Sequence, residues 1–279
     1  MLGLVEYFRC VNEGFRGHAA PQNAEPAQLS GAINDGHLQA ESSRDAGALL
    51  PLLGRPMVQY VLDAISKVAR IQNVIVIGLD AQHGLACPGK QLVYLPSAGS
   101  LFDNARQGCR AILERNPASR LAVWFSADVP LITPAMVDWF LDRTLESDRD
   151  LFYQLIRREV MLKRFPESRR TYTHLQDRVV CAGDVAAITP VVGAGAHPLW
   201  EQITGARKNP LRQAQIVGVQ LLWLLLTRQL SVPRAEQLVG QRLGLSGVLL
   251  DCPFAEMGMD VDKPLQYALA ERELRAART

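Results

Sequence analysis

The chain lacks the features that would place it in a special class. No apolar run is long enough to cross a bilayer. The most apolar stretch, residues 216–226 (IVGVQLLWLLL), falls well short of the roughly 20 residues a spanning helix needs, and it reads as a buried helix. No surplus of charge is available for nucleic acid, since 30 Lys and Arg stand against 28 Asp and Glu, a formal net charge of +2. Cysteine is scarce and unpatterned. Cys10, Cys87, Cys109, Cys181 and Cys252 form no CxxC and have no histidine at metal spacing. That argues against a zinc motif or a disulfide framework, and for reduced thiols in the cytoplasm, most of them small core residues. The opening segment MLGLVEYFRCVNEGFRGHAA is broken by charges and has no apolar centre, so no secretory signal is expected. What remains is an ordinary globular composition, 48% hydrophobic and 21% charged over 279 residues, enough for one large α/β domain or two small ones.

Within that composition, strand and helix patterns alternate. Residues 1–26 are polar and aperiodic, end in PQNAEP, and read as an appendage outside the fold. AQLSGA (27–32) is a weak short strand followed by a loop rich in Gly and Asp. A helix is expected from Pro56, with Val58, Val61, Leu62, Ile65 and Val68 on one face. NVIVIGL (73–79) and QLVYLP (91–96) read as strands, 101–114 as a helix, and LAVWF (121–125) as a strand buried on both faces. Asp128 follows, then Thr133 as N-cap, Pro134 at the first helical position, and an apolar face of Val137, Phe140, Leu141 and Leu145. Such alternation predicts a mostly parallel sheet with helices on both faces. Farther on, DLFYQLI is a strand, and residues 169–190 give one or two more with a Gly-Asp loop between them. Residues 198–244 are mainly helical, SGVLLDC is a late strand, and DVDKP opens a charged C-terminal helix.

Five segments stand out in order: GRPMVQYVLDAI, SADVPLITPAM, FPESRRTYTHL, CAGDVAAITP and MDVDKP. Together they resemble the MobA-like NTP transferase (nucleotidyltransferase) family over roughly residues 27–270. The resemblance implies an α/β, Rossmann-like three-layer domain of the glycosyltransferase-A, or nucleotide-diphospho-sugar transferase, type with a mixed sheet of about seven strands. That single domain would span 27–279, with a helical insertion around 198–244 covering one side of the pocket and packing its apolar run around Trp223 inside; an exposed run would mark a dimer interface or a membrane-surface contact. The implied reaction moves a nucleoside monophosphate from an NTP to a small phosphorylated or polar acceptor, releasing pyrophosphate and requiring Mg²⁺. The expected partners are thus an NTP and a small acceptor, with a homodimer allowed. Two rivals share the fold: a nucleotide or sugar-nucleotide binding protein without turnover, and a glycosyltransferase.

Nucleotidyl transfer is mostly positioning and charge neutralisation, so it needs few residues. Mg²⁺ takes one or two carboxylates and keeps several waters. Asp128, at a strand end, supplies one. Asp260 and Asp262, two apart and so on one side of an extended segment, supply a pair of candidate metal ligands; the resemblance implies that one of them, taken to be Asp260, completes the metal site and forms the catalytic pair with Asp128, while a turn and a helix cap are the bland alternative. Arg55 precedes a helix N-terminus, a natural phosphate site. Arg169 and Arg170 offer forks suited to phosphate, and Gly183 and Asp184 stand where the family often has Gly-Gly-Asn for acceptor or base; exposed arginines and a plain hairpin turn are the rivals. His174 and His197 read as structural or surface residues. The family's first loop, LAGGxGxRM, wraps the triphosphate with backbone amides. Its counterpart here is LSGAINDGHLQ, where Ser30 and Gly31 are the surviving nucleotide-binding candidates, Ala32 replaces a glycine, the arginine is missing and Asp35 adds negative charge. Where many relatives have a lysine, this chain has Gly47, leaving Arg44 and Arg55 as the nearest substitutes.

Overall fold

Apolar runs become the inner strands of a sheet because each such strand has a covered face on either side. The computed structural model describes residues 2–7, 47–99, 101–196 and 219–278. In chain order its elements are β1 Leu2–Tyr7, β2 Pro51–Leu52, β3 Arg55–Pro56, α1 Met57–Ser66, β4 Ile71–Ile77, β5 Gln91–Leu95, α2 Leu101–Arg115, β6 Leu121–Ser126 and α3 Pro134–Leu145. Then come β7 Leu151–Arg157, α4 Arg158–Arg164, β8 Thr173–His174, β9 Val179–Ile188, α5 Val219–Leu226, α6 Val232–Leu243, β10 Gly247–Cys252 and α7 Pro264–Ala276.

The main sheet runs β10-β7-β9-β6-β1-β4-β5, with the short β8 on β9 making eight strands. Neighbouring pairs β4/β5 and β10/β7 are parallel, whereas β9 runs against both β6 and β7, and β1 against both β4 and β6. Alternate residues feed two cores. Val74, Val76, Val123 and Phe125 pack with α1, α3 and α7, while Ile75, Ile77 and Ala122 pack with Cys109 and Ile112 of α2. Helices on both faces explain why β4 and β6 read as continuous apolar runs.

Several expected details are present. Thr133 caps α3, its Oγ1 accepting the Met136 N–H at 3.4 Å, with Pro134 next and Val137, Phe140 and Leu141 fully buried. Helix α1 starts at Met57, one residue later than expected, after a hairpin whose two loop residues, Leu53 (φ 49°) and Gly54 (φ 80°), both adopt the left-handed conformation that a tight two-residue turn requires. Cys87, Cys109, Cys181 and Cys252 are free and buried, as core residues; burial pushes the Cys109 and Cys252 thiols up to about 12.

The expected mostly parallel sheet is instead mixed, with only β4/β5 and β10/β7 parallel among the described strands. Three further expectations change. Six residues of the stretch read as an appendage, Leu2–Tyr7, form β1 at the centre of the sheet. Strands β4 and β6 each present an open ladder edge to that slot, and buried backbone groups must be paired. LGLVEY, with Leu, Val and Tyr, is suited to fill it. The expected strand 27–32 lies outside the described residues. Second, the 183–184 loop is absent, because Gly183 and Asp184 sit within β9. Third, Trp223 of α5 is 55% exposed and Leu226 82% exposed, so this helix is not buried. An eight-residue helix that is apolar all round cannot turn every side inward from the edge of a domain. Helix α6 lies on the outer strand β10, where Glu236 Oε1 accepts the Leu249 N–H at 2.7 Å and so pairs an open edge. Among the described residues no helix is long and apolar enough to cross a membrane.

Candidate active site

At one end of the strands, side chains far apart in sequence converge. Asp128 follows β6 by two residues and is fixed twice. Ser126 Oγ donates to its Oδ1 at 2.5 Å, and its backbone carbonyl accepts the Val261 N–H at 2.9 Å. That second bond pins the 260–262 segment to the end of β6. Val261 is buried, so its neighbours Asp260 and Asp262 turn the other way. Gln266 Oε1 accepts the N–H groups of Asp262 and Lys263 at 3.1 and 2.8 Å, closing the start of α7 behind them. The turn-and-cap reading of this segment is therefore correct for its backbone, and these backbone bonds engage neither carboxylate.

Asp184 enters from β9 through an irregularity. Tyr153 faces Ala186, but Leu155 faces Ala182, so β9 carries extra residues opposite Gln154. Bulges of this kind re-aim side chains. Gln154 is fully buried and its Nε2 donates to Val185 O at 2.9 Å, bridging the bulge. A Cβ on Gly183 would lie 2.7 Å from Gln154 Cγ, which explains a glycine there. Burial above all, with the charge of Asp128 adding, Arg170 opposing and Asp262 adding, pushes the Asp184 carboxyl up to about 7.

One cation enters this acidic cluster. Arg170, only 13% exposed, contacts Asp260 through Nη1 and lies 4.0 Å from Asp184 Oδ2 through Nη2. The arginine pair is thus split: Arg169 is exposed, in a left-handed conformation (φ 49°). Arg55 sits just ahead of its helix as expected, yet its guanidinium pairs with Asp63 at 2.7 Å and lies over the Tyr60 ring at 5.1 Å. His174 is exposed on β8. Ser30, Gly31, Arg44 and His197 lie outside the described residues. Sequence reasoning missed Ser126, Gln154 and Gly258. The signals were faint: a lone Gln inside an apolar strand, and a glycine packed so closely on Ile156 and Ala182 O that no side chain fits.

Among the described residues no three His, Cys, Asp or Glu side chains already converge as a metal centre. The cluster nevertheless suits a hard cation. Asp184 Oδ2 is a buried oxygen without a hydrogen-bond donor, Asp260 Oδ1 is met by the Arg170 guanidinium, and Mg²⁺ needs only one or two carboxylates.

The comparisons bear on the family and the fold. Residues 42–214 match the MobA-like NTP transferase domain family. The match starts beyond LSGAINDGHLQ, the stretch that departs from the family's first loop. No curated protein matches the sequence. Among solved structures, a hypothetical transferase from Thermus thermophilus is 29% identical with a TM-score of 0.68, covering 79% of this chain and 90% of its own. The 4-diphosphocytidyl-2C-methyl-D-erythritol synthase of Anaerococcus prevotii is 12% identical, TM-score 0.52, over 82% of this chain and 93% of its own. A CMP:2-keto-3-deoxy-manno-octonic acid synthetase complexed with CTP is 14% identical, TM-score 0.52, over 84% and 92%. The architecture is the Rossmann-like, glycosyltransferase-A type that the sequence led us to expect.

Proposed function

The chain belongs to the MobA-like NTP transferase family, and on that premise we propose that it transfers a nucleoside monophosphate from an NTP to a small phosphorylated or polar acceptor, with pyrophosphate leaving. The observation that carries this reading is the Val261–Asp128 backbone bond, which brings Asp128 and Asp260 to one strand end. These two carboxylates would hold Mg²⁺, with Asp262 beside them. The ion, when bound, neutralises part of the triphosphate charge and of the charge developing on the leaving group. The protein's part is positional: Ser126 fixes the Asp128 carboxylate, and the β9 bulge presents Asp184. With its carboxyl raised to about 7, Asp184 holds or releases a proton near neutrality, which suits a group facing the acceptor. The test is incubation with each NTP, Mg²⁺, pyrophosphatase and a panel of acceptors, where phosphate is released only with the right pair. No release across a broad panel by folded protein sinks the reading.

A second reading, a nucleotide-binding protein without turnover, is favoured by one observation: the family match begins past the phosphate loop. Calorimetric binding with no phosphate release would select it. For the homodimer, α5 with exposed Trp223 and Leu226 offers the surface. The scattered free thiols fit a reducing cytoplasm.

A further inference from the structure

Among the described residues, Arg170 lies against the carboxylates of Asp260 and Asp184, and Asp128 and Asp262 act electrostatically on Asp184. Arg170 is held in a built position. Its chain segment is anchored by buried Phe165 and Ser168, with the Ser168 N–H donated to Phe165 O at 3.1 Å. Yet the guanidinium is poorly satisfied there. Its Nε is buried without an acceptor, and Asp184 Oδ2 lies beyond hydrogen-bond reach at 4.0 Å. A buried ion pair repays its desolvation only with good geometry and satisfied remaining donors, and here Nε lacks an acceptor and Asp184 is out of reach. The oxygen it contacts, on Asp260, is one the Mg²⁺ reading needs, so a divalent cation and the guanidinium compete for the charge of one carboxylate.

We propose that Arg170 is a resident counter-ion of the metal site. It neutralises Asp260 while metal is absent, yields it when the metal binds, and turns its freed fork toward the nucleotide phosphates. This rests on the metal reading of Asp128 and Asp260. It also answers a deficit: the chain lacks the arginine and lysine with which relatives meet the triphosphate, and Arg170 is the cation already inside the site. Metal binding and phosphate binding are thereby coupled through one side chain, which a permanent structural ion pair would not do.

The test uses full-length, metal-stripped protein and Mn²⁺ alone, titrated by electron paramagnetic resonance. Arg170→Gln removes the competitor, so Mn²⁺ binds tighter than to wild type by about tenfold, and Mn²⁺-dependent NTP affinity falls in the same variant. Should that variant not fold, Arg170→Lys, which lacks the fork, carries the test with a smaller tightening of about threefold. Asp128→Asn separates the two claims. Loss of Mn²⁺ binding in Asp128→Asn together with tightening in the Arg170 variant supports the proposal. Loss in Asp128→Asn with unchanged or weaker Mn²⁺ binding in the Arg170 variant overturns the counter-ion role alone. Mn²⁺ binding that survives Asp128→Asn overturns the metal site, and the proposal with it.

Discussion

The two sides of this site are built on different terms. On the acidic side, β6, β9 and the 260–262 segment come from distant parts of the chain and are locked together by short, specific bonds. A strand irregularity, a buried glutamine and two closely packed glycines surround the stretch of β9 that carries Asp184. On the side where the family cradles phosphates, the sequence keeps Ser30 and Gly31 but loses the arginine and has Gly47 in place of a lysine. An inner position of the sheet is filled by Leu2–Tyr7, antiparallel to both neighbours, so β1 ends at Tyr7 beside the starts of β4 and β6, at the opposite end from Asp128. On the proposed reading, the contrast teaches that metal handling and phosphate handling are separable, since the acidic cluster is built in detail while the sequence lacks the usual cations of the phosphate loop.

The largest effect should come from the acidic side. Asp128→Asn is expected to abolish Mn²⁺ binding and turnover while shifting unfolding free energy by about 0.5 kcal/mol or less, since a carboxylate at a strand end adds little stability. Calorimetric melting beside the metal titration checks both parts. Next, Gly183→Ala drives a methyl into Gln154 and should cost about 1–3 kcal/mol, read as a fall of roughly 2–4 °C in melting temperature per kcal/mol. An unchanged melt would mean that the bulge is plastic and the aiming of Asp184 loose.

Asp184 also gives a pH signature in metal-free protein. Its folded carboxyl is raised above the unfolded value of 3.8 to about 7, so the native state binds its proton more tightly. The stabilisation is full below pH 3.8 and is lost as pH rises towards 7. Asp184→Asn should flatten that slope and leave the variant more stable than wild type at pH 7–8 by on the order of 1–3 kcal/mol. Denaturant melts from pH 4 to 8 decide it, and parallel curves for the two proteins would refute the burial argument.

On the phosphate side, Gly47→Lys meets no steric obstacle, since a Cβ there has nothing within 4 Å. It should tighten Mg-NTP binding by about threefold to tenfold at low salt, as a partly solvated charge contact does. No gain would mean that the pocket has been reshaped for another ligand. The smallest effect belongs to the exposed helix: Trp223→Ser should change stability by about 0.5 kcal/mol or less, and sedimentation of wild type against variant shows whether α5 joins two copies.

Much of this was legible beforehand because it depends on local chemistry. Thr133-Pro134 announces α3, the apolar runs of β4 and β6 announce covered strands, and DVD ahead of Pro264 places two carboxylates on one side. The rest depends on pairings that no local pattern contains. LGLVEY looks like the start of a polar tail until the slot between β4 and β6 requires a strand. Gly183-Asp184 reads as a turn because the usual signal for a turn and for a bulge is the same pair of residues. The division of labour between Arg169 and Arg170 follows from a single left-handed residue, which the sequence does not mark.

The central claim is that this chain binds NTP through a metal held by Asp128 and Asp260, having lost most of the direct cationic grip on phosphate. Isothermal titration of wild-type protein with each of the four NTPs, with Mg²⁺ and then with EDTA, tests it most directly. The account predicts measurable binding of at least one NTP with Mg²⁺ and none without it. Equal binding in both conditions would contradict it, because the phosphates would then be held by groups other than the metal and its carboxylates.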